Sequence, residues 1–158
     1  MRIIMGADVS GFTLKEAVYT ALVERGYDVT DATPVEPLLF QDAAKAVAGP
    51  VANGEYDRGI VMCGTGMGVS IIANKHRGVY AALCESVYQA RRARVVNNTN
   101  VLCMGGMIIG NVMGIDMALA WLEAEYMQGT EGEEARARLA KQFNALVEFE
   151  EISYGKKG

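Results

Sequence analysis

The stretch Ile60-Val61-Met62-Cys63-Gly64-Thr65-Gly66-Met67-Gly68-Val69-Ser70 ends an apolar run in a thiol and follows it with alternating glycines. Glycine tolerates positive φ and lets backbone approach a ligand closely. A turn of this kind opening a helix presents free N–H groups and the positive end of the helix dipole, so it binds an anion or stabilises one that forms during a reaction. The same field favours the thiolate form of a cysteine at its lip. One short segment therefore offers a candidate base, Cys63, and a candidate oxyanion site, Gly64 to Gly68. The pattern equally describes a buried cysteine ahead of a tight strand–helix turn, and spacing alone does not separate the two.

Other motifs carry less. The loop lacks the Gly-Lys-Ser/Thr ending of a Walker A loop, and its glycines miss the third-glycine spacing of a dinucleotide fingerprint. It also follows the third strand-like run rather than the first. Asp8, after the first such run, reads as a helix cap or as a ligand for hydroxyl groups; taken alone it reads as a cap. His76, Lys75 and Arg77 read as a solvated helix end, and Cys84 and Cys103 as core.

The elements that must position these residues follow from periodicity. Apolar runs at Arg2–Met5, Tyr27–Asp31, Arg58–Met62, Val79–Leu83 and Val101–Met104 read as short strands. Between them, Phe12–Arg25, Phe40–Asn53, Val69–His76, Glu85–Val95 and Val112–Glu125 read as helices, with Gly49-Pro50 as the expected kink of the second. Pro34 and Pro37 argue against regular structure over 32–39, and Asn97 to Asn100 read as a polar turn. Five strands alternating with helices predict an α/β fold: a Rossmann-like three-layer αβα sandwich around a five-stranded parallel sheet. Ligands in such sheets sit beyond the carboxyl ends of the strands, where Asp8, Cys63 and Asn97 are expected to converge. The whole chain, 1–158, reads as one domain. Its last helix, Glu133–Phe149, with Leu139, Phe143 and Leu146 on one stripe, falls within a tail spanning 128–158. It packs on its own domain or forms an arm that crosses to a partner subunit.

Composition bounds the function. Of 158 residues 51% are hydrophobic, and Lys+Arg 15 against Asp+Glu 19 leaves a net charge of −4. A mildly acidic chain is not a general surface for nucleic acid or anionic membrane, so any anion site is local. Three widely spaced cysteines and one histidine give neither a disulfide framework nor metal-ligand spacing. There is no charged segment followed by an apolar one at the start, and no apolar run of about 18 residues. The expectation is a cytoplasmic, soluble protein.

The residues also resemble a known family. Met1-Arg2-Ile3-Ile4-Met5-Gly6-Ala7-Asp8 with Gly11-Phe12 and Leu14-Lys15 is similar to the opening of the sugar-phosphate isomerases that include ribose-5-phosphate isomerase B and the galactose-6-phosphate isomerase subunits. Cys63 to Ser70 followed by Ala73-Asn74-Lys75 resembles their signature. Ala81-Ala82-Leu83, Ala93-Arg94, Asn97 and Asn100-Val101-Leu102 match as well. The resemblance implies an aldose–ketose isomerase acting on a sugar phosphate through a cis-enediolate, with no metal and no organic cofactor. It implies Cys63 as the base, with Gly64, Thr65, Gly66, Met67 and Gly68 holding the enediolate oxygens. Thr65 and Asp8 would assist at the sugar oxygens and in ring opening, and Asn97 would bind the oxyanion or a hydroxyl. It further implies a homodimer or tetramer, or a hetero-oligomer with a paralogous subunit.

Several family positions differ. Many members have His where this chain has Val9, and His where it has Val96. A family arginine falls at Met107. Of two tail arginines that hold the phosphate, one falls near Glu134 and the other at Arg138, with Arg136 close by. An aromatic that usually carries a hydroxyl is Phe40. Both ring-opening imidazoles and much of the phosphate clamp are therefore absent. The favoured reading is an isomerase for a different sugar phosphate, a short or open-chain one that needs no ring opening. The alternatives are the cysteine-bearing subunit of a heteromeric isomerase and a non-catalytic sugar-phosphate-binding relative.

Overall fold

Five apolar segments pair side by side as parallel strands: β1 (Arg2–Ala7), β2 (Asp28–Asp31), β3 (Arg58–Cys63), β4 (Ala81–Leu83) and β5 (Val101–Gly105). The structure, a computed structural model, describes residues 1–155. The sheet order is β2-β1-β3-β5-β4, which puts β3 and its terminal Cys63 at the centre. The helices are α1 (Phe12–Glu24), α2 (Phe40–Ala52), α3 (Met67–Ala73), α4 (Val87–Asn97), α5 (Asn111–Leu122) and α6 (Glu133–Tyr154).

Alternation along the strands sorts the core into two layers, because successive side chains point to opposite faces. Ile60 and Met62 of β3 join Leu14 and Val18 of α1 and Met117 and Trp121 of α5 on one face. Val61 and Cys63 join Val47 of α2 and Val69 of α3 on the other. Trp121 is fully buried and its indole N–H donates to Thr99 Oγ1 at 2.9 Å. This is the three-layer αβα sandwich expected from the alternating pattern.

The differences from expectation have local causes. α2 ends at Ala52, one residue short of the expected end, and runs through Gly49-Pro50, since burial of Val47, Ala48 and Val51 outweighs one lost backbone hydrogen bond. α4 starts two residues later than its helix formers suggest, because Ser86 caps it by accepting from the Gln89 N–H. It also runs on through Asn97, so Asn97 closes a helix rather than opening a turn. α3 begins at Met67, directly after Gly66 in the left-handed region, and ends at Ala73. α6 extends to Tyr154. Its first half packs on its own chain through Phe143, which meets Tyr80 edge-on at 5.1 Å and Tyr126 at 5.7 Å. Its last turns expose Phe149, Ile152 and Tyr154.

Candidate active site

Cys63 is the last residue of the central strand, and the chain must turn sharply to enter α3. Gly66 makes the turn at φ 76°. A side chain there would be strained, and its Cβ would lie 2.4 Å from Leu83 and 2.9 Å from the Met104 carbonyl carbon. Gly105 has the reciprocal constraint, with the Thr65 carbonyl carbon 2.7 Å from where its Cβ would be. The loop is thus pressed against the end of β5. Two further bonds lock it: Gly106 N–H donates to Cys63 O at 2.8 Å, and Met107 N–H donates to Gly64 O at 2.9 Å.

The result is a thiol among amides. The Gly66 N–H points at Cys63 Sγ, 3.1 Å away. The first backbone bond of α3 is Ser70 N–H to Gly66 O, so the N–H groups of Met67, Gly68 and Val69 precede the helical ladder and have no acceptor within it. Met67 N–H finds only the Thr65 hydroxyl, at a long 3.4 Å. Cys63 itself is 5% exposed, at the inner wall. Cys84 and Cys103 lie deeper in the core, as expected. Burial pushes the Cys84 thiol up to about 11 and the Cys103 thiol up further, which keeps both protonated and chemically quiet. All three thiols are free.

The surrounding side chains come from four directions. Phe40, the first residue of α2, lays its ring on Gly68, within 2.8 Å of where a Cβ would sit. Asp8 is linked to β3 through its N–H to Met62 O at 3.1 Å. Its Oδ1 accepts the N–H groups of Ser10 and Gly11, both at 2.9 Å, so it acts as the cap that turns the chain into α1. Ser10 and the Met107 thioether close over Gly64 at 3.3 and 3.2 Å from its ideal Cβ position. Ser10 is not singled out by residue type, and Met107 only as the place of a family arginine; the glycine pair Gly105-Gly106 adds a sequence signal for both, because such a pair marks a close backbone approach. The rim is apolar and open: Val9 is 74%, Met107 72% and Leu39 66% exposed, with Met67 and Phe40 also outside.

The structure therefore brings together Asp8, Phe40, Cys63, Gly64, Thr65, Gly66, Met67 and Gly68. It does not bring Asn97 to them, against expectation. α4 leaves the carboxyl end of β4 and runs back antiparallel to the strands, so its last residue lies at their amino edge. The neighbouring Asn100 fixes this, with its carbonyl accepting from Gly59 and its N–H donating to Tyr80 O at the starts of β3 and β4. Arg136 and Arg138, both exposed on the first turns of α6, belong to the same end: Met127 N–H donates to Val95 O and Tyr126 hydroxyl donates to Leu139 O. Within one chain these three residues sit at the edge opposite Cys63. Among the described residues no group of three or more His, Cys, Asp or Glu is placed to hold a metal ion, and no helix is long and apolar enough to cross a membrane.

Comparison with known proteins accords with this geometry. The pattern of the ribose/galactose isomerase family matches residues 3–141. A 4-deoxy-4-sulfo-D-erythrose isomerase from Clostridium sp. (strain MSTE9) is 44% identical over 134 residues, covering 83% of this chain and 84% of that protein. A D-erythrulose-4-phosphate isomerase from Pectobacterium atrosepticum is 38% identical over 132 residues, covering 82% and 87%. The solved structure of ribose-5-phosphate isomerase B from Clostridium thermocellum superposes with a TM-score of 0.87 at 37% identity, covering 97% of this chain and 99% of that one.

Proposed function

The chain belongs to the ribose/galactose isomerase family and is an aldose–ketose isomerase; from that premise we propose that Cys63 is its base and the loop from Gly64 to Gly68 its oxyanion site. In the proposed reaction, Cys63 Sγ takes the proton from the hydroxyl-bearing carbon beside the carbonyl. The electron pair moves into the carbonyl and leaves a cis-enediolate. The thiol returns the proton to the neighbouring carbon, and the hydroxyl proton crosses between the two oxygens with Thr65 in reach of both. A carbon-bound proton is far too weakly acidic for a thiolate unless the developing charge is stabilised. One preorganised donor contributes about 3–4 kcal/mol, so several loop amides outweigh the strength of the base. The observation that carries this reading is the Cys63 sulfur bonded to the Gly66 amide at the mouth of an amide-lined turn. Asp8, with Oδ1 engaged by Ser10 and Gly11, holds the wall of the site and meets a sugar hydroxyl through Oδ2.

The substrate we infer is a four-carbon sugar carrying its anion on the terminal carbon, a phosphate or a sulfonate. A furanose closes through a free C4 hydroxyl. Substitution at C4 blocks closure and leaves the carbonyl open, so a site with Val9 and Val96 in place of imidazoles needs no ring-opening catalyst. Met107 over Gly64 adds thioether where a phosphate clamp would add charge, which suits a small or singly charged anion. The tetrose isomerases named above support this size, and the ribose-5-phosphate enzyme supports the chemistry.

The site is completed by a second copy of the chain. Asn97, Arg136 and Arg138 lie at the edge opposite Cys63, so they meet a Cys63 only across an interface, and Phe40 and the exposed rim give that interface its apolar contact. The cytoplasm suits three free thiols, which stay reduced there. Complementation tests the reading: severely impaired Cys63→Ser chains unfolded and refolded with impaired Asn97→Ala chains form mixed dimers holding one intact site of two, recovering roughly a quarter of parental activity. No recovery, with mixed dimers present, would refute a shared site.

A further inference from the structure

At the amino edge of the sheet, away from the same chain's Cys63, a cavity of about 210 Å³ is lined by Asp57, Arg58, Tyr80, Arg94, Asn98 and Phe143 of α6, among others. Arg58 opens β3 and Arg94 rides on α4. The Nε atoms of both are buried and have no hydrogen-bond partner among the described residues. Their remaining bonds go to neutral oxygens: Arg58 Nη1 to the Asp57 carbonyl at 2.7 Å, and Arg94 Nη1 to Asn98 Oδ1 and the Thr99 carbonyl. Neither forms an ion pair among the described residues. Asp57 is turned to Arg2: its Oδ2 accepts the Arg2 N–H at 2.7 Å and its Oδ1 lies 3.6 Å from the Arg2 guanidinium as an ion pair.

Two half-buried guanidiniums, neither in direct ion pairing and with Asp57 and Glu125 acting only at a distance, are unfavourable neighbours. Burial and then the Arg58 charge push Arg94 down to about 10, with Glu125 opposing, and burial lowers Arg58 against the pull of Asp57. An orphaned buried donor carries the full cost of its lost hydration. One oxyanion drawn between the two arginines, once the guanidiniums rotate to turn their buried Nε–H groups towards the cavity, would accept from both and offset the repulsion by charge-assisted bonds.

We propose that this cavity is a second anion site, distinct from the Gly64–Gly68 loop, which takes a single tetrahedral phosphate group between Arg58 and Arg94. The volume is several times the roughly 30 Å³ share of a water molecule, which admits inorganic phosphate or the phosphate of a small monoester. Occupation would also hold down α6, whose Phe143 covers the cavity.

The test follows the arginine Nε–H resonances of the full-length protein by NMR while inorganic phosphate, and separately glycerol-2-phosphate, is titrated. In the parent protein the Arg58 and Arg94 signals are expected to shift together and saturate. In Arg58→Gln the Arg94 signal should no longer respond and affinity at this site should fall at least about tenfold, while kcat/KM for the isomerisation stays within about twofold. Arg58→Lys, which keeps the charge, should retain part of the binding. Tighter binding of inorganic phosphate marks a free-anion site, and tighter binding of the ester marks a metabolite site. Unmoved Nε–H signals at saturating phosphate, or equal phosphate affinity in the parent and in Arg58→Gln, would overturn the proposal.

Discussion

Replacing Cys63 by Ser isolates the proton-transfer step from everything else in the site. The hydroxyl occupies the same wall and still accepts the Gly66 N–H that now meets the sulfur at 3.1 Å. The loop conformation does not depend on the sulfur, since Gly66, Gly105 and the bonds from Gly106 and Met107 hold it. Stability should therefore change by no more than about 1–2 kcal/mol, the range for one altered buried polar group. Substrate affinity should survive, because the amides are unchanged. The rate should not: a hydroxyl is hardly ionised where a thiol can be, and a positioned base supplies about 10²–10⁴-fold. At about 1.4 kcal/mol per decade this is roughly 3–5 kcal/mol of barrier. Residual turnover should remain, since in the proposed mechanism the amides still stabilise the enediolate. The assay is deuterium uptake from D2O at the carbon beside the carbonyl, read by NMR on a panel of four- to six-carbon aldose and ketose phosphates and on a C4-sulfonated tetrose. Exchange in the Ser variant at the parental rate would show that another group moves the proton. Loss of binding together with rate would show that the sulfur shapes the pocket rather than acting in it.

Other expectations follow from the same geometry. Gly66→Ala combines a positive φ with a 2.4 Å approach to Leu83; strain and overpacking together should lower unfolding free energy by about 2–5 kcal/mol in urea titrations and abolish turnover. Lys15 is fully buried, bonded to Asp31 at 2.6 Å and to the Thr33 carbonyl at 3.0 Å, with Glu16 also in contact. Lys15→Met should cost about 3–5 kcal/mol by stranding Asp31, whereas an unchanged denaturation midpoint would mean that Asp31 finds water instead. Arg138→Ala should raise KM for the anionic substrates and leave the uncharged sugar unaffected. Stability should fall as pH rises from about 9 towards 11: Cys84 is neutral when folded and its thiol is raised from 9.0 to about 11 by burial, so the unfolded chain ionises first and draws the equilibrium. Cys84→Val should make that alkaline limb shallower in thermal melts, leaving the part due to Cys103 and Tyr80, both also raised by burial.

Much of this was legible in the residues because the signals are local. Apolar runs of strand length, helical stripes such as Leu14-Val18-Leu22 and the glycine loop each reflect a constraint acting over a few residues. The alternation of elements then fixes the layers. What escaped was set by distant partners. Met107 reads as a missing charge, and only the structure shows its thioether lying on Gly64. Arg58 and Arg94 lie in unrelated segments, and only the closing of the sheet sets them side by side.

Asn97 is the instructive case. Its type suits a sugar hydroxyl, but a residue just ahead of a strand lies at the amino edge of a parallel sheet, while Cys63, ending a strand, lies at the carboxyl edge. No rearrangement of one chain joins them without breaking the sheet. A two-fold pairing joins them twice over, because in an isologous interface each chain offers its amino edge to the other's carboxyl edge. In the proposed dimer the same contact removes Val9, Leu39, Phe40 and Met107 from water, and at about 25 cal/mol per Å² of apolar surface that burial favours association. It also dries the thiol's surroundings, where amide–oxyanion bonds gain strength. Assembly and catalysis would then share one cause, and a monomeric variant, made by placing Asp at exposed Leu39 on the rim, should be folded and inactive.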